Sequence, residues 1–248
     1  MYSILSYLLS VYKKRGGIFA VLLDPDKKND YLLYSNVEKA NTSDVDILLV
    51  GGSLMMDNKS HARVKKIKEL SKIPVIFFPG GSNQINKYFD AMLFLSVLSG
   101  RNPHYLIGEQ VISAPIINDL GLETIPTGYL LLDGGSYTSV EFMSGTKPLP
   151  MNHPEITLAH ALAAQYMGMK FVYLEAGSGA TKSVTREIIK QCSDNLNINI
   201  IVGGGINTPE EAESKIIAGA SMVVIGSIFE TSNNEMLMKN FSDAIHVK

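Results

Sequence analysis

A carboxylate beside a glycine-rich turn is the first feature of this sequence that could do chemistry. Glu175 directly follows the apolar run at residues 171–174, and Gly177-Ser178-Gly179 comes two residues later. A short apolar run bounded by turn formers predicts a buried strand. A glycine turn that opens a helix, here capped by Thr181 or Ser183, would direct backbone N–H groups at a phosphate. The simpler alternative is a turn whose glycines only allow positive φ angles.

The same arrangement of a strand followed by glycine recurs twice further along the chain. An apolar run at residues 199–202 precedes Gly203-Gly204-Gly205-Ile206, and Thr208-Pro209 then has the pattern of a helix N-terminus. The apolar run at residues 222–225 precedes Gly226-Ser227. In (β/α)8 barrels the loops after the seventh and eighth strands commonly bind phosphate. Three such turns together favour a phosphate site over three unrelated structural turns.

Two oxygen-bearing side chains follow the first two predicted strands. Asp24 comes directly after the first apolar run, and Ser53 follows a glycine pair after the second. Both suit Mg²⁺, which takes few protein ligands and completes its shell with water and substrate phosphates. The simpler alternatives are a helix cap for Asp24 and a surface ion pair between Asp26 and Lys27.

The rest of the chain predicts the elements that position these residues. Its 248 residues match the size of one (β/α)8 barrel, and strands alternate with helices without a shift in composition. We therefore predict a single barrel domain over residues 1–248. Leucines at helical spacing within residues 2–14 predict an extra N-terminal helix that closes the bottom of the barrel.

The third repeat of the predicted barrel is irregular. Residues 79–90 between two apolar runs are too few for a full crossover helix, so we predict that the third helix is shortened or missing. Residues 103–120 predict a helix broken at Pro115, and residues 234–247 predict the last helix. The long polar segment at residues 136–154 predicts a lid or a substrate-binding element.

Composition excludes several classes of protein. The net charge of −2 gives no basic surface for nucleic acid. The single cysteine, Cys192, excludes an internal disulfide and a cysteine-rich metal site, and we predict a buried or partly buried thiol. The apolar N-terminal stretch lacks a cleavage site for a signal peptidase, and no run is long enough to span a membrane. We therefore expect a cytoplasmic protein.

Five motifs, in order at predicted strand ends, resemble those of the geranylgeranylglyceryl phosphate synthase family, which includes heptaprenylglyceryl phosphate synthases. They are LLDPDK (22–27), VGGS (50–53), YLEAGSGA (173–180), VGGGI (202–206) and IGS (225–227). The resemblance implies a modified (β/α)8 barrel. It also implies transfer of a prenyl group from a prenyl diphosphate to the sn-3 hydroxyl of sn-glycerol 1-phosphate, with release of diphosphate. Chain length and the YLEAGSG motif resemble the longer archaeal-type branch, which implies a C20 donor rather than C35.

The resemblance also implies a role for individual residues. Mg²⁺ would be bound by Asp24 and Ser53. Glu175 is our candidate to accept the proton of the attacking hydroxyl, and the alternative is that it only binds that hydroxyl. Further implications are a homodimer or larger homo-oligomer and transient membrane contact during product release. The residues implied for glycerol phosphate are Tyr173, Leu174, Glu175, Ala176, Gly177, Ser178, Gly179, Gly204, Gly205, Gly226 and Ser227.

Aromatic residues of the irregular region could line an apolar trench for the prenyl chain, although a plain core role is the simpler explanation. They are Phe77, Phe78, Tyr88, Phe94, Tyr105 and Tyr129. Two other functions fit the glycine turns. One is an isomerase, a lyase or an FMN-dependent oxidoreductase acting on a small phosphorylated metabolite. The other is a binding protein for such a metabolite, without catalysis, and Glu175 argues against it.

Overall fold

The computed structural model describes residues 3–231 and 236–248 of the chain. Eight parallel strands close into a barrel in which each strand pairs with the next and the last returns to the first. The strands are β1 (Ile18–Leu23), β2 (Ile47–Val50), β3 (Val75–Phe77), β4 (Ala91–Val97), β5 (Glu123–Leu131), β6 (Phe171–Glu175), β7 (Asn199–Gly203) and β8 (Met222–Ile225). The helices are α1 (Ile4–Arg15), α2 (Asp30–Thr42), α3 (Ser60–Leu70), α4 (Glu109–Leu120), α5 (Ser139–Ser144), α6 (Pro154–Tyr166), α7 (Arg186–Asn195), α8 (Pro209–Ile217), α9 (Ser227–Thr231) and α10 (Leu237–Ile245).

The strands are mainly apolar because both of their faces are largely buried. Successive side chains point to opposite faces of a strand. In β6, Phe171 and Tyr173 belong to the cluster inside the barrel, whereas Val172 and Leu174 pack against the helices outside. The same alternation directs Glu175, the last residue of β6, toward the barrel axis.

Helix α1 closes the bottom of the barrel, as the sequence predicts. Leu8 and Val11 of α1 join the apolar cluster inside the barrel. The carboxylate of Glu123, at the start of β5, accepts the N–H groups of Ile4 at 2.7 Å and of Leu5 at 2.9 Å. It thereby satisfies backbone donors that the first turn of a helix leaves without partners. Tyr2 of the predicted helix lies outside the described residues.

The third repeat lacks its helix, which confirms the prediction. Residues 78–90 are all described, and they contain a 3-10 turn at Ser82–Gln84 but no α-helix between β3 and β4. The chain therefore crosses from β3 to β4 in a short loop. The outer layer of helices is open at this point, beside β3 and β4.

The predicted break at Pro115 is wrong, since α4 continues through this residue. Proline removes one intrahelical hydrogen bond, which would otherwise reach the carbonyl of Val111. Both residues lie on an exposed part of α4, where water can solvate that carbonyl. The irregular backbone lies earlier, in a π-helical turn at His104–Gly108.

The helix after β6 begins later than predicted. Thr185, and neither Thr181 nor Ser183, caps α7 by accepting the N–H of Ile188 at 3.4 Å. Thr181 instead donates its hydroxyl to the carbonyl of Gly134 at 3.0 Å. The glycine turn after β6 therefore does not open α7, which begins at Arg186.

Two further predictions concern the outer layer. Cys192 of α7 is fully buried, as predicted, and burial raises the pKa of its thiol to about 12. The last predicted helix corresponds to α10, and residues 234 and 235 of that prediction lie outside the described residues. In the part of the chain that the structure describes, no helix has the length and apolar character needed to cross a membrane.

Candidate active site

A cavity of about 340 Å³ opens at the C-terminal face of the barrel. Because all eight strands are parallel, the loops that follow them meet at this face. The structure thereby brings the predicted metal ligands and most of the predicted phosphate residues to one cavity. The predicted site residues that line it are Asp24, Ser53, Tyr173, Glu175, Ser178, Gly204, Gly205, Gly226 and Ser227.

The other predicted site residues lie beside this lining. Leu174 and Ala176 are buried in the outer layer of the core, against the helices. Gly177 and Gly179 have φ angles of 97° and 72°, a region that favours glycine, and they shape the turn that carries Ser178. One more acidic residue at the end of a strand, Asp133 after β5, is exposed, and its carboxylate accepts the N–H of Gly135 at 3.0 Å.

Glu175 has the environment of a proton acceptor that works near neutral pH. Only 6% of the residue is exposed, and burial raises the pKa of its carboxyl to about 7, against the opposing effects of a hydrogen bond from the backbone and of the nearby Tyr173 hydroxyl. That bond is donated by the Gly177 N–H to Oε1 at 2.6 Å. A general base is most effective when its pKa lies close to the working pH.

Gly204 has no side chain, and this leaves room for the carboxylate of Glu175. A Cβ atom on Gly204 would lie 2.4 Å from Glu175 Oε1, and the φ angle of 81° disfavours any side chain there. Glycine at this position is therefore required by the packing of Glu175 as well as by any phosphate that binds nearby.

Three aromatic rings form the floor of the cavity below Glu175. Phe78 and Tyr129 each pack on Tyr173, with ring centroids 5.5 Å and 5.4 Å from the Tyr173 ring. Burial, and then the charge of Glu175, raise the pKa of both tyrosines well above the ordinary value. The buried Tyr173 hydroxyl makes no regular hydrogen bond among the described residues, and it lies close enough to Glu175 to lower the pKa of that carboxyl.

Asp24 has the features of a cation ligand. Its Oδ1 is buried and has no hydrogen-bond partner among the described residues, and its Oδ2 lies 3.0 Å from Lys28 Nζ. Burial raises the pKa of Asp24, and the Lys28 ammonium opposes that rise. A Cβ on Gly52 would lie 2.5 Å from Oδ1, so glycine keeps this oxygen uncovered.

The donor set around Asp24 fits Mg²⁺ better than a softer metal. In the described ranges, 3–231 and 236–248, no group of three or more histidine, cysteine or acidic side chains could hold a metal ion. Mg²⁺ needs no such group because water and phosphate oxygens supply most of its ligands. Asp24 and the Ser53 hydroxyl, both at the cavity, therefore fit this ion.

Sequence reasoning missed three residues around the site. The expected surface ion pair of Asp26 and Lys27 is wrong, because Asp26 is only 2% exposed and accepts backbone N–H groups. Lys28 and Glu230 line the cavity. Lys28 could have been found from its spacing four residues after Asp24, which allows an ion pair along a helical turn. Glu230 gives no comparable signal.

The polar segment at residues 136–154 contributes α5 to the cavity wall. Ser139, Val140, Met143 and Ser144 of this helix face the cavity. The segment thus lies at the cavity, and about a third of it is helical rather than irregular.

A smaller cavity of about 70 Å³ adjoins the first between β3, β4 and α4. Pro79, Gly80 and Tyr105 line both. Of the six aromatic residues predicted for an apolar trench, Phe77, Phe78, Phe94, Tyr105 and Tyr129 line one or both cavities, whereas Tyr88 lines neither. The open position in the helix layer thus leads to an apolar extension of the site.

We expect Gly226→Val to raise the KM for the phosphate-bearing acceptor at least tenfold while changing the KM for the second substrate less. The backbone angle at Gly226 accepts a side chain, and an added Cβ would approach its nearest atoms, on Leu22, only to 3.2 Å. The variant should therefore fold and fill space at the end of β8. Steady-state kinetics with each substrate varied in turn measures both constants. Equal changes in the two would contradict a dedicated phosphate site.

We also expect Glu175→Gln to stabilise the protein at alkaline pH. The carboxyl has a pKa of about 7 when folded and about 4.3 when unfolded. Between these values the folded state binds more protons, so the free energy of unfolding of the wild type falls as pH rises from about 4 to 7. Glutamine does not ionise, and at pH 8 the free energy of unfolding of the variant should exceed that of the wild type by up to about 4 kcal/mol. Urea unfolding at pH 5 and pH 8 tests this, and parallel pH dependence in both proteins would contradict it.

Comparison with known proteins places this site in a family. The family model described as the PcrB family matches residues 10–245. The chain is 43% identical to a geranylgeranylglyceryl phosphate synthase from Chitinophaga pinensis, over 94% of this chain and 93% of that protein. It is 37% identical to one from Methanosphaera stadtmanae, over 94% and 96%.

A solved structure gives the same result for the fold. The crystal structure of (S)-3-O-geranylgeranylglyceryl phosphate synthase from Thermoplasma acidophilum, in complex with sn-glycerol-1-phosphate, matches with a TM-score of 0.91. The two chains are 32% identical, and the match covers 99% of each. Agreement in sequence and in fold over almost the whole length shows that the chain belongs to the PcrB family.

Proposed function

We propose that this protein transfers a prenyl group, in the first place geranylgeranyl, from its diphosphate to the sn-3 hydroxyl of sn-glycerol 1-phosphate. The observation that carries the proposal is one cavity that holds a buried carboxylate with a pKa near 7, the glycine turns and Asp24. The named activity of the relatives and the glycerol phosphate in the Thermoplasma acidophilum complex support the reaction and its acceptor.

The acceptor would bind at the loops after β6, β7 and β8. Gly204, Gly205 and Gly226 lack side chains, so the backbone there can approach a phosphate closely. The Tyr173 hydroxyl lies in the same cavity beside Glu175, where it can donate to an oxygen of the acceptor. Glu175, between these loops and the aromatic floor, would accept a hydrogen bond from the sn-3 hydroxyl.

In the reaction, the sn-3 oxygen forms a bond to C1 of the prenyl group as the bond from C1 to the diphosphate oxygen breaks. The diphosphate leaves with the electron pair of that bond. The proton of the hydroxyl passes to the carboxylate of Glu175, and the rings of Tyr129, Tyr173 and Phe78 exclude water from the allylic carbon. Mg²⁺ bound by Asp24 and Ser53 would neutralise charge on the diphosphate.

The prenyl chain would occupy the apolar side of the site. The main cavity continues past Tyr105 into the smaller cavity beside β3 and β4, where the missing helix leaves room. The relatives named above are geranylgeranylglyceryl phosphate synthases, which supports the C20 donor that the sequence motifs imply over a C35 donor.

A transfer assay with radiolabelled sn-glycerol 1-phosphate and donors from C10 to C35 tests the proposal. We expect labelled prenylglyceryl phosphate, formed fastest with the C20 donor and dependent on Mg²⁺. The absence of labelled lipid with every donor would contradict the proposal. The alternative of an FMN enzyme predicts that the purified protein is yellow, and a colourless protein removes it.

The predicted homo-oligomer is part of the same proposal. The face formed by the π-helical turn and α4 exposes Ile107, Val111, Ile112, Ile116 and Leu120. An apolar surface of this kind supports association with a second copy or brief contact with a membrane during product release. Light scattering after size-exclusion chromatography measures the mass, and a monomer would contradict the oligomer. The cytoplasmic location stays a prediction from the sequence.

A further inference from the structure

The loop after β1 and the loop after β2 extend beyond the sheet. The last hydrogen bond between the two strands is donated by the Gly51 N–H to the carbonyl of Leu23 at 3.1 Å. Asp24 and Ser53 both lie after this bond, and so the pairing of β1 with β2 does not fix them relative to each other. Other contacts must set that distance.

Asp26 supplies the first of these contacts. Its carboxylate is buried between the loops, with only 2% of the residue exposed. Oδ2 accepts the N–H of Met56, in the loop after β2, at 2.6 Å. Oδ1 accepts the N–H of Lys28 in its own loop at 3.2 Å. A charged acceptor for two backbone donors is stronger than a neutral one, so Asp26 joins the loops firmly.

Arg63 supplies the second contact from α3. It is 4% exposed, and its guanidinium binds two carboxylates through two bonds each. The bonds to Asp57, in the loop after β2, are 2.6 Å and 2.8 Å long, and those to Asp30, at the start of α2, are 2.5 Å and 3.0 Å. Nη1 also lies 3.5 Å from the carbonyl oxygen of Pro25, next to Asp24.

We infer that Asp26 and Arg63 are positioning residues that together hold the two loops so that Asp24 and Ser53 face one cation site. Asp26 lies in the wall of the cavity, but both of its carboxylate oxygens accept backbone N–H groups. Arg63 lies outside that wall and binds the carboxylates of Asp30 and Asp57. This inference rests on the proposed function, in which Asp24 and Ser53 bind the cation. Groups that orient metal ligands from behind typically change metal affinity 10–100-fold when they are lost.

Two variants and one control test the inference. Asp26→Ala removes both backbone contacts, and the milder Arg63→Lys keeps the charge but loses the planar fork that binds two carboxylates. Lys68→Met is the control, because Lys68 lies on the same helix and pairs with Asp90, before β4, at 2.7 Å. The control removes an ion pair of α3 at the opposite end of the barrel.

Calorimetry should measure binding of inorganic pyrophosphate with Mg²⁺, and separately of sn-glycerol 1-phosphate without it. We expect both variants to weaken pyrophosphate binding with Mg²⁺ about tenfold or more, and to change glycerol phosphate binding less than twofold. In the unloaded protein, amide hydrogen exchange over residues 51–57 should become faster in both variants. Lys68→Met should match the wild type in all three measurements.

Wild-type affinity for pyrophosphate with Mg²⁺ in both variants would overturn the inference. If binding of both ligands weakened equally, or if Lys68→Met showed the same changes, Asp26 and Arg63 would have a general structural role. Either result would also overturn the inference. The exchange measurement separates this test from the proposed function. A wild type that makes no prenylated product contradicts the function, while unchanged loop exchange in the variants contradicts the positioning role.

Discussion

Glu175→Gln should lower kcat about 10²–10⁴-fold, the range typical of losing a general base. Glutamine has nearly the size of glutamate and can still hold the sn-3 hydroxyl by a hydrogen bond, but it cannot take up the proton. Binding of glycerol phosphate should therefore change much less than kcat. Steady-state kinetics with calorimetric titration of sn-glycerol 1-phosphate gives both quantities.

The pH profile distinguishes a base from a group that only positions the hydroxyl. The pKa of Glu175 is about 7 in the folded protein, so the wild type should lose activity as pH falls below that value and the carboxylate is protonated. The Gln variant should lack this acidic limb. If Glu175 only positions the hydroxyl, Kd should worsen together with kcat, and the wild type should show no acidic limb. Wild-type kcat in the variant would exclude both roles.

Asp24→Asn should lower activity about 100-fold or more while the protein stays folded. A neutral amide cannot replace an anionic ligand for Mg²⁺, and the charge of the leaving diphosphate would lose several kcal/mol of stabilisation. The amide is close in size to the carboxylate, and Asp24 makes one ion pair with a largely exposed lysine, so little stability is at stake. Activity as a function of Mg²⁺ concentration, with thermal unfolding beside it, measures the effect.

Asp133→Asn is the matched control for this change. Asp133 also follows a barrel strand, yet it is exposed and lies outside the cavity lining. Its variant should keep the activity and the Mg²⁺ dependence of the wild type. Unchanged turnover and Mg²⁺ dependence in Asp24→Asn would show that the metal assignment is wrong.

The architecture could be predicted from the sequence because its signals are local. Short continuous apolar runs predict buried strands, and the segments between them have the spacing of helices. This alternation predicts a parallel barrel. The segment at residues 79–90 is too short for a crossover helix, so its length alone predicts that the helix is missing. The glycine turns could be placed at the cavity because parallel strands bring their ends to one face. These inferences need no knowledge of contacts between distant residues.

The predictions that were wrong depended on such contacts. Nothing near Asp26 in the sequence indicates that Met56 donates to it across thirty residues, so a surface ion pair with Lys27 was the natural expectation. Thr181 is as good a helix cap as Thr185 by residue type, and only its hydrogen bond to Gly134 shows why the helix starts later. The sequence predicts a proline break at Pro115 because the solvent exposure of that part of α4 cannot be inferred from the sequence alone.

The buried thiol of Cys192 makes it possible to measure opening of the barrel by absorbance spectroscopy. The chain has one cysteine, and it is fully covered between α7 and the sheet. Its raised pKa keeps it in the unreactive thiol form. A disulfide reagent can therefore modify it only in molecules whose outer layer has come apart, and the absorbance of the released thiolate counts those molecules. Labelling rates with and without substrates would then show whether ligands at the top of the barrel suppress opening at α7.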